Sequence, residues 1–106
     1  MSEVSEIQDR ELDEVLTRER FVITYLITSR SESCRQLNPI MEQLADEYEN
    51  RAIIFKLDIN KNKITPQKFS VYIIPAVLIF KNGLLVEKLL GVASYENFRL
   101  AIDQHF

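Results

Sequence analysis

Arg30-Ser31-Glu32-Ser33-Cys34-Arg35 is the stretch whose residue types and spacing carry chemistry in this chain, and it holds the only cysteine of the 106 residues. It lies where an apolar run, Phe21–Thr28, gives way to a helical pattern that runs from Cys34 to about Tyr48. A strand that ends in a polar turn and opens a helix aims the helix's first free N–H groups at that turn. A thiol in this place has its thiolate favoured by the helix terminus and by Arg30 and Arg35, and opposed by Glu32. Such a thiol could form a mixed disulfide with glutathione or a protein thiol. The other reading stays open: Cys34 as a small buried hydrophobe at the start of an apolar helical stripe. Ser31 and Ser33 are preferred helix N-caps, and the same N–H groups can also hold a carboxylate or phosphate. A hydroxyl without a base is a very poor nucleophile. The only histidine, His105, is the last residue but one and does not read as that base.

The elements that must position this turn follow from periodicity. Val4–Ile7 reads as a short edge strand, and Leu12, Val15 and Leu16 recur at helical spacing after Asp9, the candidate N-cap. Phe21–Thr28, rich in β-branched and aromatic residues without alternation, suits a central strand buried on both faces. In the next helix Cys34, Leu37, Ile40, Met41, Leu44, Ala45 and Tyr48 form one stripe, with Glu42 on the solvated face and Pro39 inside the pattern. Ala52–Asp58 is a second buried strand carrying Lys56, and Thr65-Pro66 is an N-cap and first helical residue for a short helix ending near Ser70. Pro75 interrupts the apolar run Val71–Phe80 and must mark the start of a strand or a special turn. Lys81-Asn82-Gly83 signals a hairpin between Ala76–Phe80 and Leu84–Leu90. Ser94 then caps a last helix with Tyr95, Phe98, Ile102 and Phe106 inward. The order β-α-β-α-β-α-β-β-α predicts an α/β fold, a mixed sheet of four to five strands with helices on both faces, in one domain over 1–106.

Composition excludes several partner classes. A net charge of −3 argues against nucleic acid or an anionic membrane. The apolar runs are too short to span a bilayer, and the acidic N-terminus is no secretory signal. One cysteine permits no internal disulfide and suits a reducing, cytoplasmic setting. One cysteine and one distant histidine make no metal ligand set, and no cofactor is expected.

Cys34-Arg35 followed by Pro39-Ile40 and Leu44-Ala45-Asp46-Glu47-Tyr48 resembles the thioredoxin family. The resemblance continues through Lys56-Leu57-Asp58-Ile59, Ile74-Pro75-Ala76, Phe80-Lys81-Asn82-Gly83 and Gly91, in matching register from Phe21 onward. It implies a thioredoxin fold, with Pro75 as a cis-proline facing the active site. It also implies that Ile73-Ile74 and Leu90-Gly91-Val92 form an apolar rim that binds extended polypeptide. The departures matter more. Where the family carries Trp-Cys-Gly-Pro-Cys, this chain has Arg30-Ser31-Glu32-Ser33-Cys34. By this resemblance Ser31 replaces the nucleophilic cysteine, Cys34 is the surviving second cysteine, Tyr25 replaces the buried acid, and Lys56 is retained beside it. The Tyr25 hydroxyl is expected to be satisfied in the core, towards Lys56.

Disulfide reduction of the dithiol type needs one thiolate to attack the substrate and a second to release it. With Ser31 in the first place, that turnover is not expected. The resulting expectation is a protein-binding or adaptor module, monomeric or weakly dimeric, that uses the groove of the fold for a protein or peptide partner. The alternative is a monothiol redox protein acting through Cys34 in thiol-disulfide exchange or glutathionylation. A third reading is a catalytic relative whose missing thiol comes from another subunit or protein.

Overall fold

The computed structural model describes residues 4–106. Its elements are β1 (Ser5–Glu6), α1 (Asp9–Arg18), β2 (Phe21–Ile27), α2 (Glu32–Glu47), β3 (Ile53–Asp58), α3 (Ile64–Lys68), β4 (Ala76–Lys81), β5 (Leu84–Leu90) and α4 (Tyr95–Asp103). This is the order read from the sequence. The strands form one five-stranded sheet in the order β1-β3-β2-β4-β5. β3 is parallel to β1 and β2, whereas β4 is antiparallel to both β2 and β5.

The central strand explains why the sequence could not alternate. Phe21, Ile23 and Tyr25 pack on one side of the sheet with Leu37, Met41, Leu44 and Tyr48 of the α2 stripe and with Phe98 and Ile102 of α4. Val22 and Leu26 pack on the other side with Leu12 and Val15 of α1 and with Phe55, Leu57, Leu78 and Phe80. A strand covered on both faces has no polar side to show. Each fully buried Leu, Ile or Phe stabilises the fold by roughly 1.5–3 kcal/mol relative to exposure.

Local chemistry sets the element ends. Asn82 and Gly83 both take positive φ, 53° and 82°, as the two-residue hairpin turn requires. The Asn82 N–H donates to the Arg20 carbonyl at 2.7 Å, tying this turn to the start of β2. Ser94 caps α4 by accepting the Asn97 N–H at 3.1 Å.

Three expected ends are corrected. The N-cap of α1 is Gln8, whose N–H donates to Glu11 Oε1 at 3.0 Å, and Asp9 lies inside the first turn. Asp9 serves another helix: its carboxylate accepts the Ile64 and Thr65 N–H groups at 3.1 and 2.9 Å, at the start of α3. Thr65 is therefore a buried residue within α3 rather than its cap, and the helix ends at Lys68, with Ser70 at φ 56°. A carboxylate from a distant helix replaces the local side chain as cap, because Asn62 holds the two segments together. The Asn62 side chain accepts the Asp9 N–H and donates to Gln8 Oε1 and the Asp58 carbonyl.

Candidate functional site

Sheet register brings the sequence-predicted residues to one end of the molecule. Leu26 of β2 pairs with Ala76 of β4, and Ala76 pairs with Leu90 of β5. One row across the sheet thus ends beside three segments: the turn from Thr28 to Ser31, the Ile73-Ile74-Pro75 segment, and Gly91-Val92. The Ile74–Pro75 peptide bond is cis. The Pro75 carbonyl accepts the Gly91 N–H at 2.8 Å, which joins the last two segments. Gly91 has φ 84°, in the left-handed region that favours glycine. A fourth segment joins at the same end, where Asn60 Nδ2 donates to Thr28 Oγ1 at 2.7 Å.

At the start of α2, Ser31 has extended backbone and its Oγ accepts the Cys34 N–H at 3.3 Å. The side chain is thus used as a cap, which satisfies one of the helix's free donors. Arg30, Glu32 and Ser33 are exposed. Arg35 lies 3.7 Å from Glu32 with both side chains largely in solvent, so the pair contributes little and leaves the local charge mixed. Cys34 is a free cysteine only 2 % exposed. The thiol of this turn therefore lies beneath the surface that the serines and charged residues present.

The segments around Pro75 and Gly91 are largely apolar. Ile73 is 58 % exposed, Leu90 50 % and Val92 42 %, while Ile74 is half-buried and Pro75 buried. Tyr72, which sequence reasoning did not single out, is 86 % exposed beside Ile73. The signal that could have found it is an aromatic one residue beyond the start of an apolar run, next to a turn forced by Pro75. Scattered apolar side chains on a surface are ordinary, but four large ones on two neighbouring segments mark a candidate contact surface.

Beneath the turn, the expected contact of Tyr25 with Lys56 is not made. The Tyr25 hydroxyl donates to Asn38 Oδ1 at 3.1 Å, although Tyr25 and Lys56 are register partners in neighbouring strands. Asn38 lies nearly two turns into α2 and supplies a neutral acceptor for the hydroxyl. Burial holds the Tyr25 phenol well above its ordinary range, and the Glu42 carboxylate pushes it further in that direction. Glu42, expected on the solvated face, is half-buried. A neutral, buried tyrosine at this place cannot take up a proton from a neighbouring thiol at neutral pH. His105 sits at the other end of the molecule, with Nε2 2.8 Å from Glu87 Oε1. No cluster of three or more His, Cys, Asp or Glu that could hold a metal occurs among the described residues.

The chain matches the thioredoxin family over residues 3–104. It belongs to the thioredoxin family. Among curated relatives, the thioredoxin of Staphylococcus aureus is 39 % identical over 72 residues, covering 68 % of this chain and 69 % of that protein. The Staphylococcus haemolyticus thioredoxin matches to the same extent. Among solved structures, a mutant thioredoxin from Halobacterium salinarum superposes with a TM-score of 0.88 at 24 % identity, covering 96 % of this chain and 89 % of that one. Plasmodium falciparum thioredoxin gives 0.88 at 21 % identity, covering 97 % and 100 %. These similarities establish the thioredoxin fold and relate the chain to a redox family. Among the described residues no helix is long and apolar enough to cross a membrane.

Proposed function

We propose that this thioredoxin-family chain is a single cytoplasmic domain, residues 1–106, that binds a protein or peptide partner without dithiol turnover. The observation that carries this reading is the state of the single thiol. Cys34 is buried, and the residue three positions before it is a serine whose hydroxyl is committed to the helix cap. Release of a reduced substrate needs two thiols in sequence, and this chain has one cysteine. What supports binding is the surface above the thiol. Ile73, Leu90 and Val92 remain exposed near the Pro75–Gly91 hydrogen bond, at the end of the sheet where β2 runs into the polar first turn of α2. An extended segment laid there would cover apolar side chains on one side and meet Arg30, Glu32 and Ser33 on the other. The domain acts as a monomer or a weak dimer and needs no cofactor.

The test compares catalysis with binding. Insulin reduced by dithiothreitol should precipitate no faster with the protein than without it. Peptides selected from a phage-displayed library against the wild-type protein should bind Cys34→Ser with unchanged affinity and bind Val92→Asp about tenfold more weakly, since a charge there must be desolvated on contact. Loss of peptide binding in Cys34→Ser would overturn the adaptor reading in favour of monothiol exchange, with glutathione or a protein thiol as the second reactant.

A further inference from the structure

A second concave region lies at the other end of the sheet. A cavity of about 230 Å³ is lined by Arg20, Phe21, Arg51, Lys81, His105 and Phe106. Its position is fixed by register. Phe21 opens β2 and pairs with Lys81, the last residue of β4, so it lies at the opposite end of β2 from Leu26 and the Ser31–Cys34 turn. The floor is aromatic: the Phe106 ring stacks on Phe21 at 4.4 Å and on Tyr48 at 5.4 Å between centroids. The Arg51 guanidinium stands over the Tyr48 and Phe106 rings at 4.7 and 5.4 Å, and donates one hydrogen bond to the Glu47 carbonyl.

The charge of this lining runs against that of the whole chain. The protein has 16 acidic against 13 basic residues, yet the lining holds two arginines, one lysine and a histidine with no Asp or Glu side chain. Arg20 and Lys81 make no side-chain ion pair or hydrogen bond among the described residues, although the β2–β4 register holds them close. Bringing like charges together with few carboxylates to balance them is unfavourable and is relieved when an anion is bound. His105 is engaged with Glu87, which leaves Arg20 and Lys81 without a side-chain partner among the described residues and Arg51 with guanidinium N–H groups beyond the one that bonds the Glu47 carbonyl. The adjoining cleft of about 660 Å³ shares Arg20, Phe21 and Arg51 but includes Glu19 and Glu49, so the smaller cavity is the one whose charged side chains are all basic.

We propose that this cavity is a binding site for a small phosphate anion, free or at the end of a phosphorylated metabolite. Two planar guanidinium groups and one ammonium match the several oxygens of a phosphate, with Arg suited to paired hydrogen bonds and Lys to a point charge. The volume is below the roughly 300–1,000 Å³ of pockets for drug-sized ligands, which selects a compact ligand. Phe106 offers an apolar wall for a few carbons of an ester. The site is independent of the groove above Cys34, so occupation of one does not require the other.

The test is a titration of the full chain, followed by amide NMR at low ionic strength, with inorganic phosphate and with glycerol 3-phosphate. The expected result is saturable shifts confined to the neighbourhood of Arg20, Phe21, Arg51, Lys81 and His105. Affinity should fall at least about tenfold in the Arg20→Gln/Lys81→Gln double variant and stay unchanged in Arg10→Gln on α1. Tighter binding of the ester would identify a metabolite as the source, and equal binding the free ion. Shifts reproduced by sodium chloride at matched ionic strength, or an unchanged affinity in the double variant, would overturn the proposal. So would a glutamate-rich peptide that binds the cavity more tightly than either phosphate.

Discussion

Ser31 Oγ accepts the Cys34 backbone N–H at 3.3 Å, so the hydroxyl and the thiol of this turn are linked through the helix start and not through a reaction path. Replacing Ser31 by Ala removes the cap and should lower stability by about 1 kcal/mol. Denaturant unfolding checks this. Replacing Ser31 by Cys sacrifices the cap too, but places two thiols at the start of α2. That variant should reduce insulin disulfides measurably above the background of the wild-type protein, since two thiols are the minimum for release.

Tyr25 gives a prediction at alkaline pH. Its phenol is held above the ordinary value of 10.0 by burial and by Glu42, and Tyr48 is held up by burial and by its hydrogen bond to Asp103. For a group whose folded pKa is raised, the folded state keeps its proton where the unfolded chain has lost it. The stability is therefore fully present below about pH 10 and is lost as pH climbs above that value. Urea midpoints should fall steeply above pH 10, and less steeply in a Tyr25→Phe/Tyr48→Phe variant. At neutral pH Tyr25→Phe alone should cost about 0.5–1.5 kcal/mol, the usual net value of one hydrogen bond.

Asp9 is a capping residue for a helix 55 positions away in sequence, through its bonds to Ile64 and Thr65. Asp9→Ala should destabilise the protein by about 1–2 kcal/mol, at the upper end for a lost cap because two donors are released. Asp9→Asn keeps one acceptor oxygen and should cost less. Thermal unfolding of the two variants side by side would show the order.

Thr24 stands in the middle of β2 with its Oγ1 buried and no hydrogen-bond partner among the described residues. A buried hydroxyl without a partner costs stability that an isosteric apolar group does not. Thr24→Val should therefore be neutral or stabilising by about 1 kcal/mol, measured as a raised urea midpoint with an unchanged slope.

The nine elements and their order were legible in the sequence because each carries a local period or punctuation: the stripe from Leu37 to Tyr48, the unbroken apolar run of β2, and Asn82-Gly83. What stayed hidden depends on contacts between distant residues. Asp9 has the chemistry of an N-cap and does cap a helix, but the choice between α1 and α3 is made by the Asn62 bridge. Tyr25 was legible as core, whereas its partner was not. Lys56 is its neighbour in the sheet, yet Asn38 on α2 accepts the hydrogen bond of the hydroxyl. The candidate groove was legible only through the family resemblance, since exposure of Tyr72 and Ile73 depends on how the segment between α3 and β4 lies in the fold. The cluster of Arg20, Arg51 and Lys81 left no local trace, because two separate connections and the end of β4 deliver it.

The most direct measurement is the alkylation rate of Cys34 in the folded protein across pH 6 to 9, read by mass spectrometry against the chain in denaturant. A thiol that is 2 % exposed should be protected throughout, with labelling at least about a hundredfold slower than in the unfolded chain. That result leaves the groove, and not the thiol, as the working part of this thioredoxin-family domain. Labelling of the folded protein as fast as the unfolded chain would contradict it and make Cys34 the reactive centre.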